Sequence, residues 1–464
     1  MQLQRIQLKW SVVALMLLVG HSSFGQTEPA TDSTTNGWSL EQCVRYALEN
    51  NLSIKSQDLS LKVQENTYRA SQYSLLPSLS ADVSQSTTIG RAVDPTTYTF
   101  VDKTVMNGNG SISANVVLFN GWQKQNTIKK NRYDLLATSS EFEKLKNDIS
   151  LNITAAYLQI LLDEELYRVS EDQLTLTQQQ VAQTRKLVDA GKVVLGNLLD
   201  IQAQEASEEL QLVNSKNKLA LSNLQLIQLL DLTDTTFRIA QPALDGFDIA
   251  LVTSDYNSVY PIAEGYLPQI KTAQFRVEGA KTAISIAQGG YYPQLTLGAS
   301  YGSSYSDNRD QVTVVNGVPV SKSYPFFDQL QDNKNLGVYF RLSIPIFSGF
   351  STRYNVSNSK ANYHRSVIAL QVEKNNLYKE IQQASSDAVA SYNRYTASNK
   401  SVETLNQAFK YNENRFNVGL ITSLEYNTAK NKLAKAQSDL LQARYEYIFK
   451  TKIMDFYRGN PIKL

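Results

Sequence analysis

Four short stretches of the chain alternate between apolar and polar residues. In the first, Leu79, Ala81 and Val83 share one face and Ser80, Asp82 and Ser84 the other; in the second, Ile112, Ala114, Val116 and Leu118 alternate with Ser113 and Asn115. Leu295, Leu297, Ala299 and Tyr301 form a third face. In the fourth stretch Leu336, Val338, Phe340, Leu342, Ile344 and Ile346 stand opposite Tyr339, Arg341 and Ser343. A period of two marks strands with one apolar face. Each run is about 10 residues, the length a tilted strand needs to cross a bilayer. Tyr98, Phe100, Tyr291, Tyr292, Tyr324, Phe326, Phe327 and Phe347 crowd the ends, as in an interfacial girdle. Alternation alone fits a soluble, half-buried sheet as well.

Between the alternating runs lie stretches nearly free of helix breakers. No proline occurs between Pro95 and Pro242 or between Pro345 and Pro461, and the interior glycines there reduce to Gly191, Gly196 and Gly419 once the stretches' ends are set aside. Rich in Ala, Leu, Gln, Lys and Glu, these stretches read as long helices, each interrupted once. The two halves correspond. Leu118-Phe119-Asn120-Gly121 matches Ile346-Phe347-Ser348-Gly349, and Asp189-Ala190-Gly191 matches Asn417-Val418-Gly419, both at a spacing of 228. Ile54-Lys55 matches Ile270-Lys271 and Pro77-Ser78-Leu79 matches Pro293-Gln294-Leu295, both at 216, so the second half holds a 12-residue longer insertion between its strands. This is a two-fold internal repeat. Each repeat is expected to contain a helix (38–76 and 256–292), a β-rich segment (77–120 and 293–348), a helix of about 70 residues (121–190 and 349–418) and, after a glycine turn, a helix of about 40 (197–231 and 422–458). A long helix beside two shorter ones stacked end to end is the natural packing. The connections 90–108 and 303–335 are expected as loops at the far end of the strands.

The repeat is expected to divide the chain into a first half, 26–240, and a second, 241–464. Residues 1–25 have the layout of a secretory signal peptide: Arg5 and Lys9, the apolar run Val12–Val19, then Ser23-Phe24-Gly25 before a cut at Gln26. That run is too short to span a membrane. Four strands cannot close a barrel, and an open strand edge cannot lie in lipid. A membrane reading therefore forces assembly, and three copies would give 12 strands.

Composition narrows the function. The chain has 45 Lys+Arg against 43 Asp+Glu, and without Arg5 and Lys9 the balance is even, so no broad basic surface for nucleic acid is expected. One Cys (Cys43) and two His (His21 and His364) leave no disulfide framework, zinc site or iron–sulfur cluster. With no phosphate loop and no Ser–His pair, neither an enzyme nor a cofactor is expected. Cys43 reads as a small buried residue and His364 as a packing or tunnel-wall residue. The 26 Tyr, against 16 Phe and 3 Trp, suit interfaces.

The breaks between elements carry the candidate chemistry. Asn120 and Ser348, before Gly121 and Gly349, read as N-caps at strand-to-helix junctions, where a residue without a side chain permits the sharp turn. Gly191 and Gly419 read as left-handed residues just after the C-caps of the long helices, with Arg185, Lys186 and Arg415 near the negative helix ends. Thr422-Ser423-Leu424-Glu425 reads as a capping box and Asn197-Leu198-Leu199-Asp200 as its looser partner. Lys192, Val193, Leu420 and Ile421 are expected to be exposed at these tips, as contact residues are.

In order and spacing, these landmarks resemble the TolC family of outer-membrane efflux ducts over nearly the whole chain after the leader. Trp38-Ser39-Leu40-Glu41 through Ala47-Leu48-Glu49-Asn50-Asn51 is similar to that family's opening helix. The Leu118–Gly121 and Ile346–Gly349 motifs resemble its strand-to-helix junctions, and Arg415-Phe416-Asn417-Val418-Gly419-Leu420 its periplasmic tip turn. The resemblance implies a mainly helical fold with membrane β: a homotrimer whose α-helical coiled-coil barrel runs through the periplasm into a 12-stranded β-barrel in outer-membrane lipid. It also implies docking to a periplasmic adaptor and an inner-membrane transporter, through tips that include Gly191, Lys192, Val193, Gly419, Leu420 and Ile421. Acidic residues just past the tip turn constrict the entrance in that family. The spacing carries over to Glu425 and Asp200, while Asn197 and Thr428 depart from an all-acidic pattern, so each acid either only caps a helix or caps it and gates the entrance as well. Many relatives carry a lipidated N-terminal Cys, which this sequence lacks. The rival reading is a secreted coiled-coil scaffold or adaptor without a pore, which leaves the four alternating strands unexplained.

Overall fold

The computed structural model describes residues 37–93, 98–233, 237–242 and 256–461. The expected leader lies outside these residues, and the chain from Trp38 onward forms one compact unit. In chain order its elements are α1 (Leu40–Asn50), α2 (Leu52–Tyr73), β1 (Ser78–Val93), β2 (Phe100–Asn120), α3 (Gln123–Asp189), α4 (Leu195–Leu229), α5 (Tyr256–Tyr266), α6 (Pro268–Gly289), β3 (Gln294–Ser306), β4 (Asp310–Val315), β5 (Val318–Ser323), α7 (Phe326–Asp332), β6 (Asn335–Ser343), α8 (Ser351–Asn417) and α9 (Ser423–Tyr457).

The repeat is visible element by element. Helices α3 and α8 both have 67 residues, and α4 and α9 both have 35. At 1.5 Å per residue the long pair are about 100 Å each. Helix α3 packs along α1 and α2 in one half of its length and along α4 in the other; α8 does the same with α5, α6 and α9. Two apolar clusters form halfway along the long helices, and they hold equivalent residues. Cys43, Ala47, Ile153, Ala156 and Leu226 in the first stand where Val259, Ala263, Ile381, Ala384 and Met454 stand in the second. Cys43 thus occupies a valine's place and acts as a small apolar side chain.

The sequence led to unbroken helices over 38–76 and 256–292, and both are broken. The first stops at Asn51, whose Oδ1 accepts the Ser53 N–H at 2.9 Å and the Ile54 N–H at 3.4 Å to start α2. The second stops at Leu267, and Pro268 opens α6 at a position where the missing N–H costs nothing.

Strands β1, β2, β3 and β6 form one antiparallel sheet in the order β1-β2-β3-β6. One face presents Leu79, Val83, Ile112, Leu297, Tyr301, Val338, Phe340 and Leu342; most of these are exposed and the rest half-buried. The other face presents mainly Ser, Thr, Asn and Gly, with Asp82, Tyr339 and Arg341 among them. The segments expected as loops are largely structured. Strands β1 and β2 run on through most of 90–108, and 303–335 holds the β4–β5 hairpin, turned at Asn316-Gly317 with both φ positive, and helix α7. Helix α7 covers the end of β3 that β6 is too short to reach. The buried Gln329 acts there as a surrogate strand, its Oε1 accepting the Ser306 N–H at 3.0 Å and its Nε2 donating to the Ser306 carbonyl at 2.9 Å.

At the strand-to-helix junctions the N-caps are not Asn120 and Ser348. They are Trp122 and Phe350, two residues later, and neither makes a side-chain cap bond. Gly121 (φ 64°) and Trp122 (φ 59°) are both left-handed, as are Gly349 (φ 58°) and Phe350 (φ 62°). Two such residues in succession reverse the chain from strand into helix, and the aromatic second residue is anchored by neighbours. Trp122 meets Phe119 edge-on at 4.9 Å, and Phe350 meets Phe347 at 5.4 Å. Asn120 remains an acceptor, at 3.4 Å from the Lys124 N–H, and Ser348 lies 3.2 Å from the Thr352 hydroxyl. Gly121 also permits contact with the Gly289 carbonyl, which a Cβ would overlap, whereas Gly349 faces open space.

Candidate gate and docking tip

Helices α3 and α8 end in the same hydrogen-bonded turn. Gly191 (φ 67°) donates to the Val188 carbonyl and Lys192 to the Leu187 carbonyl, each at 2.9 Å. Gly419 (φ 75°) donates to Phe416 at 2.9 Å and Leu420 to Arg415 at 2.8 Å. Both pairs satisfy carbonyls that the helix end would leave open, and both need the left-handed residue that glycine supplies. The glycines therefore stand where the sequence placed them, just past each C-cap.

The next helices begin differently. Thr422 and Glu425 form the expected capping box: the Glu425 N–H donates to Thr422 Oγ1 at 3.2 Å, and the Thr422 N–H donates to Glu425 Oε2 at 2.9 Å. This backbone N–H, joined by the Thr422 hydroxyl, holds the Glu425 carboxyl below its ordinary pKa. Helix α4 has no such box. Its N-cap is Val194, and Asn197 sits inside the helix at the position equivalent to Glu425, so Asn197-Leu198-Leu199-Asp200 is not a cap. Asp200 is exposed on α4, its Oδ2 accepting from the Ser423 hydroxyl at 3.5 Å. The N-terminal ends of α4 and α9 thus adjoin; Glu425 lies in the first turn of α9, where the dipole favours negative charge, and Asp200 one turn into α4.

Not all tip residues expected outside are there. Leu420 and Lys192 are exposed, Val193 is half-buried, and Ile421 is buried at 9 % exposure. The exposed apolar set is completed by Val194, Leu195, Leu199, Val418 and Leu424, which sequence reading passed over. A cleft of about 440 Å³ opens between the two turns, lined by Leu187, Val193, Asn197, Phe416 and Ile421 among others. Beneath it Val181, Leu198 and Ile201 form a small core against Val188 and Phe416, and Phe416 packs on Tyr426 at 4.7 Å.

Further from the tip lies a buried polar cluster that joins three helices. Lys430 Nζ of α9 donates to Glu208 Oε1 of α4 at 3.0 Å, to the Gln173 carbonyl of α3 at 3.0 Å, and to Thr177 Oγ1. Thr177 in turn donates to Glu208 Oε2 at 2.5 Å. Lys430 is 2 % exposed, and burial pushes its pKa below the ordinary lysine value against the pull of Glu208. A signal for it existed in the sequence: Ile201, Glu208, Ser215 and Ser222 recur every seven residues along the buried seam of α4.

Cys43, Tyr157 and His364 show no assembled chemistry. Burial raises the Cys43 thiol to about 12, Tyr157 is fixed by its hydroxyl on the Ala240 carbonyl at 2.6 Å, and His364 is exposed beside Tyr363. Among the described residues no helix is long and apolar enough to cross a membrane, and no cluster of metal-ligating side chains occurs.

A long-helix, four-strand protomer with a polar and an apolar sheet face is the architecture of an outer-membrane duct. A profile of the family described as Outer membrane efflux protein matches residues 44–231 and again 260–449, and the chain belongs to that family. It is 22 % identical over 318 residues, 67 % of each chain, to the outer membrane protein TolC of Vibrio cholerae. In fold it is similar to CusC, with a TM-score of 0.77 at 17 % identity over 91 % of this chain and 92 % of that one. It is also similar to VceC of Vibrio cholerae, at 0.73 and 19 % over 91 % and 97 %. The protein is an efflux channel of the bacterial outer membrane, a transport protein and not an enzyme.

Proposed function

We propose that three copies of this chain form one continuous passage: a 12-stranded barrel through the outer membrane above a tunnel of helices. One observation carries the reading. The helices below the sheet lie in the order α2-α3-α6-α8, the same order as the strands they join, β1-β2-β3-β6. Sheet and helix layer are both open, and both have edges that only further copies can cover. Leu52, Leu59, Val63 and Tyr73 are exposed on α2 at one edge, and Tyr354, Ile368 and Val372 on α8 at the other. Their spacing suits side-by-side helix packing. The polar sheet face then lines the passage and the apolar face meets lipid, as the closed barrel requires.

The tips are the periplasmic end in this arrangement. Exposed Val194, Leu195, Val418, Leu420 and Leu424, set beside Gly191, Lys192, Val193, Gly419 and the underlying Ile421, offer the contact for a periplasmic adaptor that brings an inner-membrane transporter. Three Glu425 and three Asp200 ring the entrance and favour cations there. Light scattering in detergent tests the assembly: a particle of three protomers is expected, and a monodisperse monomer overturns the reading.

A further inference from the structure

The four-stranded sheet leaves β1 and β6 each unpaired along one side. The internal repeat supplies the register that would join them. Its two spacings, 216 and 228, hold to the residue in the sheet. Ser78 pairs with Asn115, and their counterparts Gln294 and Ser343 pair with each other. The intervening pair, β2 with β3, then has a counterpart in β6 with β1 of the next copy. Carried across, Asn107–Ser306 becomes Asn335–Gly90, and Asn109–Ser304 becomes Gly337–Thr88. Likewise Ser113–Ser300 becomes Arg341–Ser84, and Asn115–Gly298 becomes Ser343–Asp82.

We propose that Arg341 of each copy forms an ion pair with Asp82 of the next, across this seam and inside the barrel. The inference rests on the trimeric reading and adds its register and its lumen chemistry. Over the span where β2 pairs with β3, the polar face of the sheet carries two charged residues, Asp82 and Arg341. Within one copy they sit on opposite edges, three strand spacings or about 14 Å apart across the sheet, and Arg341 lies roughly a further 20 Å along its strand from Asn335, the residue in register with Asp82. Among the described residues neither has an ion-pair partner of its own. At the seam they become diagonal neighbours on one face, with Cα atoms about 7–8 Å apart, within reach of an arginine. The Arg341 guanidinium already lies 6.0 Å from the Tyr339 ring centre, on the same edge strand.

The pairing has two consequences. Each lone charge is neutralised, so over this span the barrel wall offers passing cargo a neutral surface of hydroxyls and amides. The seam also acquires a register mark, because a slip of β6 along β1 in the direction away from Asp82 separates the charges.

Cysteines at Gly337 and Thr88 probe the register without touching either charge. A Cβ at 337 has room, and Cys43 is buried with a raised thiol pKa, so it stays out of the reaction. Oxidation of outer membranes carrying G337C/T88C should give covalent dimers and trimers on non-reducing gels. Adding Arg341→Asp should slow cross-linking about two- to fivefold, the scale of an exposed ion pair, and adding Asp82→Arg as well should restore the parent rate within about twofold. A trimer on native gels that does not cross-link overturns the register while sparing the trimer. Cross-linking indifferent to Arg341→Asp, or unrestored by the swap, overturns the ion pair. A monomer on native gels overturns the trimeric reading and this inference with it.

Discussion

In the proposed passage, single residues would set the width and the ends. Tyr339 lies flat across Gly298 on the neighbouring strand, and its hydroxyl donates to Asn115 Oδ1 at 2.9 Å on the strand beyond. A methyl group on Gly298 would overlap that ring. Gly298→Ala should therefore lift Tyr339 off the wall into the lumen and lower single-channel conductance, with Tyr339→Ala restoring it. Equal conductance in Gly298→Ala would mean the ring does not border the passage. At the tip, Glu425 titrates below its ordinary 4.5, so its cap is intact at neutral pH and is lost only as pH falls through that lowered value. The Thr422 amide, which donates to the Glu425 carboxylate, should lose protection against exchange under acid once rates are corrected for their intrinsic pH dependence, and Glu425→Ala should show the lower protection already at neutral pH. Much of this scale was legible. Thr422–Glu425 announces a capping box by residue type alone, and Gly191 and Gly419 punctuate otherwise breaker-free stretches. The N-cap at Val194 was not legible, because it rests on backbone geometry with no side-chain acceptor to mark it. Nor was the double left-handed turn at Trp122 and Phe350, two residues that rarely take that conformation.

Elements are held in place by seams whose partners lie far apart in sequence. The Lys430–Glu208 pair ties α9 to α4, and Gln173 and Thr177 bring in α3. Removing one member leaves the other charged and buried, which costs on the order of 3–5 kcal/mol. Lys430→Met should lower the temperature at which the purified protein melts. The double change Lys430→Met/Glu208→Leu should recover most of the loss, since an apolar pair can fill the site. A double variant no more stable than the single one would mean that the cluster's worth lies in its packing. Element order and length were legible in the periodicities and the repeat, whose landmarks at 228 recur as helices of equal length. The break at Asn51 was missed because Asn-Leu-Ser continues a helical pattern without a glycine, and Asn51 caps the new helix by folding its own side chain back. Pro268 did carry a signal for the matching break.

At the scale of the whole molecule, the proposed assembly joins a barrel whose Asp82 and Arg341 charges pair at the seams to an entrance ringed by Glu425 and Asp200. Leu420→Asp should abolish export while leaving protein in the outer membrane, because Leu420 is exposed and its turn is held by backbone bonds. Normal export by that variant would remove Leu420 from the docking surface. Neutralising the entrance with Glu425→Gln and Asp200→Asn should reduce cation preference. If Glu425 serves only as a cap and Asp200 only as the acceptor of the Ser423 hydroxyl, selectivity should stay unchanged, since both amides still accept hydrogen bonds. The leader's layout and the alternating strands made a membrane assembly legible, but the seam between copies lies outside any one chain and emerges only when the repeat is read onto the sheet. The most direct measurement is single-channel recording from detergent-purified protein in planar bilayers at low salt. Discrete conductance steps are expected, with a cation-selective reversal potential that moves toward zero in the Glu425→Gln/Asp200→Asn variant. Intact trimers that insert and pass no current would contradict the passage itself.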